Sequence, residues 1–371
     1  MSELFIGLMS GTSMDGIDAA LVNFENETIQ LLGHHSHTLP QTLKDTLFKL
    51  SLNHPDINLD ILGQADAELG NIFADAVMEL LAKYNIQAKD IKAIGSHGQT
   101  IRHKPDLEFP FTLQIGDANR IAYKTGITTV ADFRRKDMAA GGQGAPLTPA
   151  FHNAVFRSAS ENRAVLNIGG IANITCLPAD PDQNCFGFDT GPGNMLMDSW
   201  ISQHKQQPYD KNGEWSASTQ ANNELLNQLM RDEFIHLNPP KSTGREHYNI
   251  DWLNTQLIKF PKLSASTIQA TLCAFTAQSI SYAIKKFLPE ITSLIICGGG
   301  VHNKFLMHQL DTSLSNINIA PSDQYNLPAD WVEAVAFAWL AKQTIEGKPG
   351  NLPAVTGAKQ STILGAIYPV S

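Results

Sequence analysis

A chain of 371 residues that is 43% hydrophobic and 17% charged holds enough apolar material for roughly two domains, which excludes disorder and a small disulfide scaffold. Its formal net charge of −9 argues against a nucleic-acid surface, because phosphate backbones demand a basic face, so any phosphate is bound locally. The start MSELFIGLMSG lacks the basic residues and long apolar core of a secretion signal, and no apolar run approaches the ~20 residues of a membrane span. A soluble cytoplasmic protein is expected. Cys176, Cys185, Cys273 and Cys297 are scattered without a CxxC pair, which points to buried free thiols rather than a metal knuckle.

Leu4 to Phe24 reads as two apolar strands joined by a turn rich in Gly11, Thr12, Ser13, Asp15, Gly16 and Asp18. Glycines let backbone N–H groups approach an anion, hydroxyls add donors, and carboxylates reach a divalent cation through water. A Walker loop holds a lysine and runs into a helix; here there is no lysine and Ile17 to Phe24 reads as a strand. The choice lies between a phosphate-gripping hairpin of the actin, sugar-kinase and Hsp70 type and an ordinary hairpin with a polar tip.

Leu62, Ala65, Leu69, Ile72, Phe73, Ala76, Val77, Leu80 and Leu81 recur at helical spacing, predicting an amphipathic helix that ends near Tyr84. The strand Ile91 to Ile94 then stops at Gly95, Ser96, His97, Gly98 and Gln99, and carboxyl ends of strands are where open α/β sheets bind ligands. His97 either faces a substrate or satisfies a local turn. Ala131 to His152 reads as a linker between lobes or as a solvated crossover loop.

Ala164 to Leu177 repeats the opening pattern around Gly169-Gly170, which suggests an internal duplication. In CFGFDTGPGNMLMDSW a strand ends on Asp189, and a Gly-Pro-Gly turn leads through Asn194 into a helix. Asp189 is there either to meet a bound ligand as an ionised group or to form an Asx-turn or cap. NPPKSTGREHYN lacks the glycine a Walker loop needs before its lysine, leaving Lys241 and Arg245 to line a cleft or lie in solvent. A helix over Thr267 to Phe287 feeds the strand of SLIICGGG, whose glycine triplet opens a further helix as nucleotide sites require. Glu333 stands near the start of the helix Asp330 to Ile345, where capping is the default role.

SGTSMDGID, GSHGQTIRH, DFRRKDMAAGGQGAPLTP, NIGGIANIT, GFDTGPGNMLMD, KSTGRE, ICGGGVHN, EAVAFAWLA and VTGAKQSTILGAIYP together resemble, in that order and over essentially the whole chain, the anhydro-N-acetylmuramic acid kinases. The resemblance implies an α/β protein of two actin-like (ribonuclease H-like) lobes, each a mixed sheet flanked by helices, with an interlobe ATP cleft. The lobes are expected at 1–135 and 136–371, the C-terminal tail packing back on the first. It also implies Mg²⁺, 1,6-anhydro-N-acetylmuramic acid as acceptor and a homodimer. Asp189 matches the catalytic aspartate. Gly11, Thr12, Ser13, Met14, Asp15, Gly16, Ile17 and Asp18 would serve the β/γ-phosphates, with Asp15 or Asp18 near the metal's water shell. Gly169 and Asn173 would form the second phosphate loop, and Gly298, Gly299, Gly300 and Asn303 the adenosine side. His97, Gln99, Arg134 and Glu333 would face the sugar. The rival readings are an actin- or Hsp70-like binding protein and an exopolyphosphatase-like phosphohydrolase.

Overall fold

The computed structural model describes residues 3–11, 14, 16–25, 28–52 and 54–370. In chain order the strands are β1 (Glu3–Met9), β2 (Gly16–Glu25), β3 (Thr28–Thr38), β4 (Ile91–Ser96), β5 (Gln99–Lys104), β6 (Phe111–Ile115), β7 (Thr129–Ala131), β8 (Arg163–Ile168), β9 (Ile171–Leu177), β10 (Phe186–Pro192), β11 (Ser293–Cys297), β12 (Asn318–Pro321) and β13 (Ala366–Tyr368). They are divided between two units, one of residues 1–155 and 331–371 and the other of Phe156–Asp330.

In the first unit the sheet order is β13-β7-β4-β1-β2-β3. Strands β1, β2 and β3 form an antiparallel meander, and β4 and β7 add in parallel beside β1. A parallel neighbour requires a crossover, here supplied by the helix Leu59–Tyr84 between β3 and β4. Asn58 starts that helix by accepting from Ile61 N at 2.9 Å, and Asn85 ends it in the left-handed region at φ 54°. Its Leu69, Phe73, Val77 and Leu80 are fully buried against Ile6 and Leu8 of β1, Ile17 and Leu21 of β2 and Ile94 of β4. Each such side chain contributes about 1.5–3 kcal/mol.

The other face of this sheet is flat. Gly7 of β1 and Gly95 of β4 are register partners, and the helix Val332–Ile345 lies directly on them. A Cβ on Gly7 would fall on Ala334 O and 2.7 Å from Ala338 N, and one on Gly95 would fall on Phe337 O and 2.7 Å from its carbonyl carbon.

The second unit has the order β10-β9-β8-β11-β12. Again three strands form an antiparallel meander, and two more join parallel to its first strand. This duplicated order is the ribonuclease H-like topology of actin-like proteins, so the echo between the two glycine hairpins reflects a repeated unit. Its core packs Leu166, Ile168, Ile174, Leu294 and Ile296 against Leu272, Phe275 and Ile280 of the helix Ala265–Phe287. Cys176, Cys185, Cys273 and Cys297 are all buried, and burial pushes the Cys176 and Cys273 thiols up to about 12.

The boundary expected at 135/136 falls inside the helix Phe133–Ala139 of the first unit; the chain leaves that unit after Val155 and returns at Trp331. The segment read as a linker or a solvated crossover loop is folded instead. Buried Asp137 accepts from Gly144 N at 2.8 Å, Asn351 Nδ2 at 2.6 Å and Thr356 Oγ1 at 2.7 Å, tying the glycine-rich loop to the C-terminal stretch. Among the described residues no helix is long and apolar enough to cross a membrane.

Candidate active site

Strand alternation places the polar residues of the first unit. Met9, Asp18 and Ser36 are successive cross-strand partners on β1, β2 and β3, so they share the face on which the helix Val332–Ile345 lies. Ser36 Oγ donates to Asp18 Oδ1 at 2.7 Å. A cavity of about 330 Å³ opens there, lined by Met9, Gly11, Gly16, Asp18, Ser36, His37, Thr38 and Glu333. Glu333, one residue into the helix, therefore faces the cavity with Asp18. Burial raises its carboxyl, Arg134 opposes the shift and Asp18 adds to it.

Arg134 is held in turn. Its guanidinium donates to Gly144 O and His97 Nε2, both at 2.9 Å, while its buried Nε has no hydrogen-bond partner among the described residues. Burial lowers Arg134 to about 10, so it stays cationic at neutral pH. His97 is 7% exposed, and burial, helped by the Arg134 charge, takes it down to about 3. A neutral imidazole accepting from Arg134 is the state that fits. Buried Gln99 bonds Ser10 through Oε1 at 2.8 Å. Met14 and Ile17 are core side chains, so only their backbone can meet a ligand; Thr12, Ser13 and Asp15 lie outside the described residues.

The second unit repeats the arrangement. Asn167, Asn173 and Asp189 are successive partners across β8, β9 and β10, the positions that Met9, Asp18 and Ser36 occupy in the first unit. Asp189 Oδ2 accepts from Ser242 Oγ and Thr243 N, both at 2.8 Å, and Asp189 N donates to Lys241 O at 3.0 Å. Burial lifts Asp189 to about 6 against those two hydrogen bonds, which pull it down; Glu246 pushes it further up and Lys241 lowers it. An aspartate poised near neutrality suits a general base.

The Gly-Pro-Gly turn has a packing reason. Gly193 N and Asn194 N donate to Gly170 O and Gly169 O at 2.9 and 2.8 Å, locking the second glycine hairpin to the start of the helix Met195–Lys205. A Cβ on Gly193 would collide with Gly169 O and lie 3.2 Å from Ala172 N. Of the glycine triplet, Gly298 has φ 81° and a Cβ there would lie 2.9 Å from Ile168 O; a Cβ on Gly300 would clash with the Ile168 side chain. Gly299 alone has open space around it. The triplet enters a 3₁₀ turn, Gly299–His302, before the helix Lys304–Ser313, which Asn303 caps by accepting from Leu306 N at 3.0 Å.

Ser242 and Thr243, the residues that grip Asp189, carried no separate sequence signal beyond the KSTGRE stretch. Lys241 neither lines a cleft nor lies in solvent. It is 8% exposed, donates to Phe234 O and Ile235 O at 2.9 Å and sits 4.7 Å from the Phe234 ring centroid. Burial lowers it to about 8. Replacing it by Met keeps the stem but strands two carbonyls, so Lys241→Met should lose roughly 2–4 kcal/mol in urea denaturation. Wild-type stability would refute that role.

The hard oxygen donors Asp18 and Glu333 beside a cavity suit Mg²⁺. The open space at Gly299 leaves room for a ligand to approach the backbone closely. Residues 3–370 match the family model described as anhydro-N-acetylmuramic acid kinase. A protein of that name from Coxiella burnetii is 50% identical over 366 residues, covering 99% of this chain and 97% of its own. One from Aliivibrio fischeri is 50% identical over 370 residues, covering 100% of both. Among solved structures, a ROK family glucokinase from Streptomyces griseus in complex with glucose and AMPPNP is 11% identical with a TM-score of 0.42, covering 92% of this chain and 99% of its own. With the motifs in order along two ribonuclease H-like units and a match from end to end, this chain belongs to the anhydro-N-acetylmuramic acid kinase family.

Proposed function

We propose that this chain opens the 1,6-anhydro bridge of anhydro-N-acetylmuramic acid with water and phosphorylates O6, giving N-acetylmuramic acid 6-phosphate and ADP, as a cytoplasmic homodimer in cell-wall recycling. The observation that carries this reading is Asp189, oriented by Ser242 and Thr243 with its carboxyl near neutrality. Asp189 takes a proton from water as the water oxygen bonds to C1. The C1–O6 bond breaks toward O6, and O6 takes the γ-phosphoryl group of the substrate ATP as the bond to ADP breaks. Mg²⁺, when bound, neutralises charge on the β/γ-phosphates. Asp18 and Glu333 are the residues that would hold its water shell and the sugar hydroxyls, and Asp15 is a further candidate for the metal. The Arg134 guanidinium attracts the lactyl carboxylate, with neutral His97 fixing its angle and Gln99 beside it. Gly11, Gly16, Gly169 and Asn173 cradle the phosphates; Gly299, the open member of its triplet, lies on the adenosine side with Asn303.

Incubation with Mg-ATP and the anhydro sugar in ¹⁸O water, followed by mass spectrometry, tests both halves of the reaction. Label at C1 of a 6-phosphorylated sugar is expected. An unlabelled or unphosphorylated product, or ADP release at the same rate without sugar, would overturn the proposal.

A further inference from the structure

Strand β3 is an edge strand of the first sheet. His35 and His37 are two residues apart on it, so both rings leave the same face. Their cross-strand partners, Ala19 and Ile17, are core residues packed toward the helix Leu59–Tyr84, which puts the two imidazoles on the helix side. Asp18 and Ser36 alternate to the opposite face, so this cluster is separate from the Asp18 and Glu333 group, although His37 also borders the cavity through its place in the strand.

From the helix, Glu79 meets both rings. Its Oε2 lies 2.8 Å from His35 Nε2 and 3.0 Å from His37 Nδ1, and the three atoms all lie within 4.8 Å of one another. Ligand atoms around tetrahedral zinc, with bonds of about 2.0–2.2 Å, stand about 3.3–3.5 Å apart, so small side-chain rotations close this triangle around an ion. The histidine side chains are 23% exposed and that of Glu79 is 53% exposed, enough for an ion to enter and a water to complete the set. Two imidazoles and one carboxylate favour zinc, copper or nickel over magnesium or calcium.

We propose that His35, His37 and Glu79 form a site for a divalent transition-metal ion, zinc being the best match, which clamps the edge strand β3 to the helix Leu59–Tyr84. The ion replaces the hydrogen bonds that the carboxylate shares with the two rings. Binding to the folded chain alone raises the melting temperature in step with metal concentration.

The test uses the full chain stripped by a chelator. Wild type should take up one equivalent of Zn²⁺ in calorimetric titration and melt higher with added zinc. Co²⁺ in its place should give the intense visible absorption of a tetrahedral ion. Glu79→Gln keeps a hydrogen-bond acceptor but loses the anionic ligand; it should melt like the wild type without zinc and bind at least tenfold more weakly. His35→Ala should do the same. Equal zinc affinity in wild type and Glu79→Gln, or no uptake by wild type, would overturn the proposal. So would cobalt spectra that are purely octahedral.

Discussion

Asp189→Asn should lower turnover by ~10²–10⁴, about 3–5 kcal/mol of barrier, while leaving nucleotide affinity intact. The amide cannot take the proton of the attacking water, yet its oxygen can still accept from Thr243 N, so the loop around it keeps its shape. Stability should move the other way. Burial holds the folded carboxyl at about 6, above its ordinary value of 3.8, so the folded chain holds a proton more tightly than the unfolded one. The ionised form therefore costs stability above pH 6, on the order of 3 kcal/mol, and that cost is relieved as pH falls through 6 toward 4. The asparagine escapes it, and the variant should melt at or above the wild-type temperature at pH 8. In the wild-type enzyme kcat/KM should fall on the acid side with an apparent pKa near 6, as the base becomes protonated. Turnover by the variant within threefold of wild type would remove Asp189 from the chemistry.

Gly7→Ala should be among the most damaging single-methyl additions in the first unit. The new Cβ meets the backbone of the helix Val332–Ile345, at Ala334 O and at Ala338 N, rather than the end of a flexible side chain. A backbone cannot rotate away, so the whole helix must lift from the sheet. Overpacking of this kind typically costs 1–3 kcal/mol and here, with rigid helix backbone as the obstacle, should reach about 3 kcal/mol or more. Gly95→Ala should behave likewise against Phe337. Because Glu333 stands in the first turn of the same helix, whatever fraction folds should also show a raised KM for the sugar. A urea midpoint equal to wild type would mean that helix and sheet are less tightly apposed than these distances require.

Elements whose pattern is local were legible in the sequence. Leu62 to Leu81 predicted the helix that the structure places at Leu59–Tyr84, and the two glycine hairpins became β1-β2 and β8-β9. What the sequence hid was set by distant partners. The stretch around Asp137 is rich in glycine and proline, as linkers are, but hydrogen bonds from Asn351 and Thr356 fold it. Glu333 looked like a cap because it opens a helix, and nothing local says which sheet face that helix covers; the answer lies in Gly7 and Gly95. Lys241 read as a cleft-lining or solvated charge because the aromatic rings and carbonyls that bury it come from other segments.

The first unit is built from two stretches of chain with the whole of Phe156–Asp330 between them. During synthesis at about 5–20 residues per second, β1 and β4 wait on the order of tens of seconds for the helix that covers Gly7 and Gly95. A nascent chain halted at Asp330 shows that glycine face bare to solvent and to chaperones, whereas the second unit has all of its own strands and helices in one uninterrupted stretch. Completion of the first unit thus waits for the helix Val332–Ile345, and a chain cut short between β4 and that helix carries an open sheet face.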